Sequence, residues 1–161
     1  DMADCLRQTV AQLETVAALR DVEVAVAGPP ESACRVGLTA EDCALLVSNL
    51  LLNALQHSPP ASRVELRLRT DAGAVELAVE DHGEGISPAA LPHVFDRFYR
   101  GDPSRTRSTG GAGLGLAMCK AVVEKAGGTI ELASRPGQGT TVTVRLPLAE
   151  EPPVNVPPPS A

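Results

Sequence analysis

The chain is expected to fold as an α/β (α+β) domain in which helices and strands interleave along the sequence. Three observations carry this. Segments centred on Val64-Leu66-Leu68, Val75-Leu77-Val79 and Val142-Val144-Leu146 alternate apolar with polar or charged residues at the period of a half-buried strand. A run from 40 to 56 has apolar residues around nearly a whole helical circumference. A glycine-rich stretch, Ser108 to Lys120, passes into a helical pattern without a break.

Taken in order, Leu6, Val10, Leu13 and Ala17 line one face of a first helix ending near Leu19. Val22, Val24 and Val26 alternate as a strand closed by Gly28-Pro29-Pro30, and Cys34 to Leu38 reads as a short second strand. Thr39 with Asp42 resembles a capping box and starts the apolar helix, which runs to about Gln56 and must be buried on most sides. Asn49 and Asn53 sit one turn apart on one face of it, with Gln56 and His57 a further turn on. Unpaired buried amides cost roughly 1–3 kcal/mol each. The asparagines therefore either bond to neighbouring backbone or form the polar wall of a cleft, where amide oxygens suit a hard cation such as Mg²⁺.

Ser58-Pro59-Pro60 ends that helix, and two strands follow around Thr70-Asp71-Ala72-Gly73. In the second, Asp81 continues the inward parity of Val75, Leu77 and Val79, and His82-Gly83-Glu84-Gly85-Ile86 follows at once. A carboxylate there is either a turn residue capping its own loop or a reader of a donor such as an exocyclic amine, with Gly83 and Gly85 leaving room for a flat ring. Ser87-Pro88 is expected to start a short helix, with Ser as N-cap and Pro at its first position. The only aromatics, Phe95, Phe98 and Tyr99, cluster within five residues, which points to a local purpose. Gly101 to Gly111 has no hydrophobic periodicity and reads as a mobile loop or lid.

Glycines 110, 111, 113 and 115 then end against a helix beginning near Leu114, on which Leu116, Met118, Ala121, Val122 and Ala126 recur. Bare backbone before free helix N–H groups favours an anion, and phosphate is the natural reading; a mobile glycine linker is the alternative. Neither G-x-x-x-x-G-K-[ST] nor G-x-G-x-x-G fits, because Cys119 precedes Lys120 and Leu116 stands where a glycine is required. Gly127-Gly128 caps the helix. A final hairpin, Thr129 to Ser134 and Thr140 to Leu146, places Thr140 on the parity of Val142, Val144 and Leu146. After Pro147, five prolines from Glu151 to Ala161 mark a linker or tail, so one domain is expected over 1–148 and a Pro-rich segment over 149–161.

The composition excludes some classes. With a net charge of −6 and scattered arginines, the chain offers no basic patch for nucleic acid. No apolar run approaches the roughly 18 residues of a membrane span and no signal peptide precedes Asp1, so a soluble, cytosolic piece without direct membrane contact is expected. Cys5, Cys34, Cys43 and Cys119 lack metal or disulfide spacing and are expected as reduced, mostly buried thiols.

Four separated elements carry a family resemblance. S-N-L-L-L-N-A-L-Q-H-S resembles the N box, E-D-H-G-E-G-I the G1 box, F-D-R-F-Y-R the F box and G-G-A-G-L-G-L the G2 box of the catalytic, ATP-binding domain of sensor histidine kinases. These belong to the GHKL class with the gyrase B subunit, heat-shock chaperone and mismatch-repair ATPases. Order and spacing agree over residues 1 to 148, and the final G-Q-G-T-T-V-T-V-R-L-P also fits. The resemblance implies a two-layer α/β sandwich of the Bergerat type, a mixed, mostly antiparallel sheet with helices on one face. It implies ATP and Mg²⁺ as cofactors. Asp81 would accept from the adenine amino group, with Thr140 in support and Gly83, Gly85 and Ile86 around the ring. Asn53 would hold Mg²⁺, and Asn49, Gln56 and His57 would line the nucleotide beside it. Gly111, Gly113, Leu114, Gly115 and Leu116 would meet the phosphates, Arg100 would reach the γ-phosphate, and the three aromatics would anchor the root of the lid. Asn49 and Arg100 are the residues the resemblance implies for catalysis.

Two departures qualify it. Gln56 stands where many members carry Lys or Arg, so one phosphate contact of the family has no matching cation here. None of His57, His82 and His93 lies in an acceptor box, so the phosphorylated histidine is expected on a separate helical hairpin. The hydrolysing relatives place Glu where Asn49 stands; an amide cannot take a proton from water, so an incoming imidazole is the implied nucleophile. The implied partners are that hairpin and a response-regulator receiver domain, and the implied setting is cytoplasmic, the parent protein being either soluble or anchored in the inner membrane. An ATP-binding module without transfer, or a serine kinase of the anti-sigma-factor type, are the alternatives.

Overall fold

The computed structural model describes residues 1–28, 34–71, 73–99 and 113–149. Along the chain it forms α1 (Met2–Leu19), β1 (Val22–Ala27), α2 (Ala40–His57), β2 (Ser62–Asp71), β3 (Ala74–Asp81), a 3₁₀ turn (Leu91–His93), α3 (Gly115–Lys125), β4 (Thr129–Arg135) and β5 (Gly139–Pro147). The strands make one sheet in the order β1-β2-β3-β5-β4, parallel between β1 and β2 and antiparallel elsewhere. The expected mixed, mostly antiparallel sheet is therefore present, and its helices pack on the face that carries the apolar parity.

That parity builds the core. Val64, Leu66 and Leu68 of β2, Val75, Leu77 and Val79 of β3, and Val142, Val144 and Leu146 of β5 are all buried. The opposite face is charged and pairs across strands, Arg67 with Glu80 and Arg145 with Glu76, while Glu65 meets Arg67 along β2 itself. The all-round apolar character of α2 has a direct cause: α1 packs on one side, α3 on the other and the sheet beneath, so Leu46, Val47, Leu50, Leu51 and Leu55 are all enclosed. Burial of each contributes roughly 1.5–3 kcal/mol. Thr39 caps α2 by accepting from the Asp42 N–H at 3.0 Å, while the Asp42 carboxylate lies 3.8 Å from Lys125 of α3.

Two expected elements differ. Cys34 to Leu38 is not a strand; only Val36 forms a bridge, to Leu148. Its backbone is used elsewhere, since the Cys34 N–H donates to Asp1 Oδ2 at 2.7 Å and its carbonyl accepts from the Met2 N–H, which ties the segment to the start of α1. Ser87-Pro88 opens a turn rather than an α-helix, with the Ser87 carbonyl accepting from the Ala90 and Leu91 N–H groups. Pro92 has no N–H to return to Pro88, so the helix cannot propagate. Cys34, Cys43 and Cys119 are buried and Cys5 is half-buried, all four as free thiols.

Candidate nucleotide site

The site is built from a row on the sheet and a stripe on α2. In the register, Asp81 of β3 pairs with Thr140 of β5, and Thr140 pairs with Ser134 of β4, so the three form one cross-strand row. Asp81 is 4% exposed. Its Oδ1 accepts the Gly83 N–H at 2.8 Å, so it does cap its own turn. A carboxylate has about four acceptor positions, and this bond leaves others for a ligand. Burial pushes the Asp81 carboxyl above the usual carboxylate range; the Gly83 and Thr140 N–H groups and the His57 and His82 rings pull it back in part.

The glycines beside it are required by backbone. A Cβ on Gly83 would overlap the His57 carbonyl at the end of α2, and one on Gly85, at φ +69°, would overlap the Arg135 carbonyl. Their space is thus filled by α2 and by the β4–β5 turn, which locks the loop after Asp81 between the two layers. A cavity of about 330 Å³ opens there, lined by Asp81, Ser134, Gly139, Thr140, Leu91 and Leu132. It does not reach Asn49 or Asn53.

From Gly83 the α2 stripe runs back through His57, Gln56 and Asn53 to Asn49, a rise of roughly 12 Å over eight residues. Asn49 donates from Nδ2 to the Leu45 carbonyl at 3.0 Å, so half of its amide does bond to neighbouring backbone. Its Oδ1 faces the start of α3, where a Cβ on Gly115 would lie 3.2 Å away. Asn53 is half-buried and makes no hydrogen bond among the described residues. Gln56 is half-buried; His57 is exposed, with Nδ1 3.4 Å from Glu84 Oε1. Leu114 is the N-cap of α3 and makes no side-chain cap bond, and the first turn carries no acid. Nothing on the helix itself therefore neutralises its N-terminal N–H groups. Leu116 is half-buried against the core.

Phe98 N–H donates to the Gly113 carbonyl at 2.9 Å, and Gly113 adopts φ +68°. The chain before residue 100 and after residue 112 is thereby joined by backbone. Phe98 is 71% exposed, whereas Phe95 and Tyr99 are half-buried, with the Lys120 ammonium of α3 lying 5.8 Å from the centre of the Phe95 ring. Arg100, Gly111 and the expected lid between them lie outside the described residues.

Ser134 was missed by sequence reasoning. Its hydroxyl donates to the Gly139 carbonyl at 2.7 Å, accepts the Ile86 N–H at 2.8 Å and lies 3.0 Å from Thr140 Oγ1. Ser134 follows Ile130 and Leu132 at the strand period, and this was the available signal: a polar residue on an inward track, as at Asp81 and Thr140.

Residues 39–150 match the model of the histidine kinase-, DNA gyrase B- and HSP90-like ATPases. The chain belongs to this family. It is the ATP-binding catalytic domain of the sensor-histidine-kinase branch. It is similar to the sensor-like histidine kinase SenX3 of Mycobacterium tuberculosis, 40% identical over 150 residues that cover 91% of this chain and 35% of that protein. Among solved structures, it resembles the mycobacterial sensor histidine kinase MprB, with 34% identity, a TM-score of 0.70 and coverage of 91% of this chain and 94% of that one. Full-length ShkA in complex with AMPPNP matches at 26% identity and a TM-score of 0.77, over 94% of this chain and 31% of that one. The chain thus spans about a third of the curated relatives it matches. Among the described residues no helix is long and apolar enough to cross a membrane.

Proposed function

We propose that this domain, spanning 1–148 with a Pro-rich linker after it, binds ATP with Mg²⁺ and passes the γ-phosphate to a histidine on a separate helical hairpin. The observation that carries this reading is the buried Asp81 carboxylate, in one cross-strand row with Thr140, at one end of a polar stripe whose other end, Asn49, faces the glycine that starts α3. In it Asp81 accepts from the adenine amine, with Thr140 and Ile86 beside the ring and Gly83 and Gly85 holding the loop. Gly111, Gly113, Leu114, Gly115 and Leu116 bring backbone to the phosphates. Gln56 and His57 line the nucleotide between the two ends, and Arg100 neutralises charge on the γ-phosphate.

The residues fit a magnesium ion that arrives with its nucleotide. Asn53 offers one half-buried amide oxygen with no other bond among the described residues, and Mg²⁺ commonly takes one or two protein oxygens besides phosphates and water. The ion would draw charge from the phosphate oxygens. Asn49, committed to Leu45 through its Nδ2, presents an oxygen that is not basic enough to activate water. A neutral imidazole needs no such base: its ring nitrogen bonds to phosphorus as the bond to the β,γ-bridging oxygen breaks, and ADP leaves. The protein's part is positioning and charge stabilisation. A receiver domain of a response regulator then takes the phosphoryl group, and the domain works on the cytoplasmic side.

The test incubates the chain with γ-labelled ATP and Mg²⁺, with and without a cognate hairpin, and resolves acid-labile phosphohistidine. Label is expected on the hairpin alone, and weakly, because addition in trans loses the effective concentration of a covalent linker. Label on this chain by itself overturns the reading; a bound hairpin that stays unlabelled favours a nucleotide-binding module without transfer.

A further inference from the structure

On the nucleotide site proposed above, we infer that Ser134 is a positioning residue that makes Thr140 an obligate acceptor and so sets the preference for a 6-aminopurine over a 6-oxopurine. The warrant is a proton count. A serine hydroxyl has one hydrogen and two lone pairs. Ser134 spends the hydrogen on the Gly139 carbonyl at 2.7 Å, a group that can only accept. One lone pair takes the Ile86 N–H at 2.8 Å, a group that can only donate. At the 3.0 Å contact with Thr140 Oγ1, Ser134 therefore has only a lone pair left, and the proton between the two hydroxyls belongs to Thr140.

Thr140 consequently points its hydrogen at β4 and keeps lone pairs for the cavity it lines with Asp81. Both side chains that meet the base edge are then acceptors. An amine with two hydrogens satisfies this pair. A 6-oxopurine can turn its N1–H to Asp81, but it sets its carbonyl oxygen against the Thr140 lone pairs. Rotation of the Thr140 hydroxyl would relieve that clash, and Ser134 prevents it. The backbone keeps the lock in register, since Ile86 N–H comes from the loop after β3 and Gly139 C=O from the first residue of β5, held by Gly85 against Arg135 and by Gly139 at φ +89° against the Asp81 carbonyl.

The test measures binding of ATP and of inosine triphosphate, each with Mg²⁺, to the parent chain, Ser134→Ala and Ser134→Thr. The parent must first bind ATP; failure there refutes the nucleotide reading itself. Given that binding, Ser134→Ala is expected to lower the preference for ATP over inosine triphosphate by about tenfold, the size of one hydrogen bond gained by the oxopurine. Ser134→Thr, which keeps the hydroxyl, is expected to retain the parent preference. A purely structural role would weaken both nucleotides equally, so an unchanged ratio in Ser134→Ala overturns the inference. Should that variant not fold, Thr140→Val takes its place, because it leaves the Ser134 bonds to Ile86 and Gly139 intact while removing the opposing lone pairs. The preference is expected to fall there too, and an unchanged ratio would again overturn the inference.

Discussion

Asn49 of α2 and Gly115 of α3 face each other closely enough that a methyl group on Gly115 would sit 3.2 Å from Asn49 Oδ1. This fixes the amide at the mouth of the helix whose N–H groups are proposed to meet phosphate. Gly115→Ala favours the helix by up to about 1 kcal/mol and crowds the amide at the same time. Thermal unfolding is expected to change by no more than a few degrees, while phosphotransfer to the hairpin falls about tenfold. Unchanged transfer would show that the Asn49 position is uncritical.

Asp81 couples stability to binding with opposite signs. Burial raises its folded pKa above the unfolded value, so between the two the native state holds more protons than the unfolded one. Its contribution to stability is therefore present at low pH and is lost as pH rises through the folded value. Asp81→Asn keeps an acceptor for the Gly83 N–H and removes the buried charge. The variant is expected to be at least as resistant to denaturant as the parent at neutral pH while losing ATP affinity by about 100-fold or more. In the parent, ATP affinity measured by calorimetry should fall with acidification, approaching tenfold per pH unit below the raised pKa, because the protonated carboxyl no longer accepts from the amine. A flat profile would remove Asp81 from the contact.

For the metal, Asn53→Ala should erase the enhancement of ATP binding by Mg²⁺ and leave metal-free binding within about twofold, since Asn53 makes no other hydrogen bond among the described residues. Titrations of ATP with and without Mg²⁺ check this. An undiminished Mg²⁺ effect would contradict the assignment.

Gly139 has two reasons to be glycine, its φ of +89° and the Asp81 carbonyl lying where a Cβ would go. Gly139→Ala is expected to cost at least about 2–3 kcal/mol in urea unfolding. A loss below about 0.5 kcal/mol would mean that the β3–β5 end can part without penalty.

Much of this was legible because strand parity is strict. Asp81 and Thr140 could be placed inside from their neighbours two residues away, and both are buried. The Asn49 and Asn53 stripe was legible from helical spacing in an otherwise apolar surface. What was not legible depends on long-range backbone accounting. Val36 alternates with Cys34 and Leu38 as a strand would, yet the N–H and carbonyl of Cys34 are claimed by Asp1 and Met2, and no local pattern reveals that claim. Gly83 and Gly85 were expected to make room for a ring, and the nearest occupants of that room are carbonyls of His57 and Arg135, distant in sequence. Ser134 escaped because serine is common on strands and its value lies in the direction of one proton.

The position of β3 in the middle of the sheet, paired on both sides and bonded to β5 as far as Asp81, governs where this domain can yield. Amides at the Asp81 end should exchange with solvent only through openings that approach global unfolding, whereas the start of α3 is held by helix-end contacts and opens more cheaply. In the proposed site the hold on the base is then insulated from perturbation of the surface. In the reading proposed above, a regulator would have its leverage on the phosphate end, and the domain would keep hold of its nucleoside while the phosphoryl group is released or withheld.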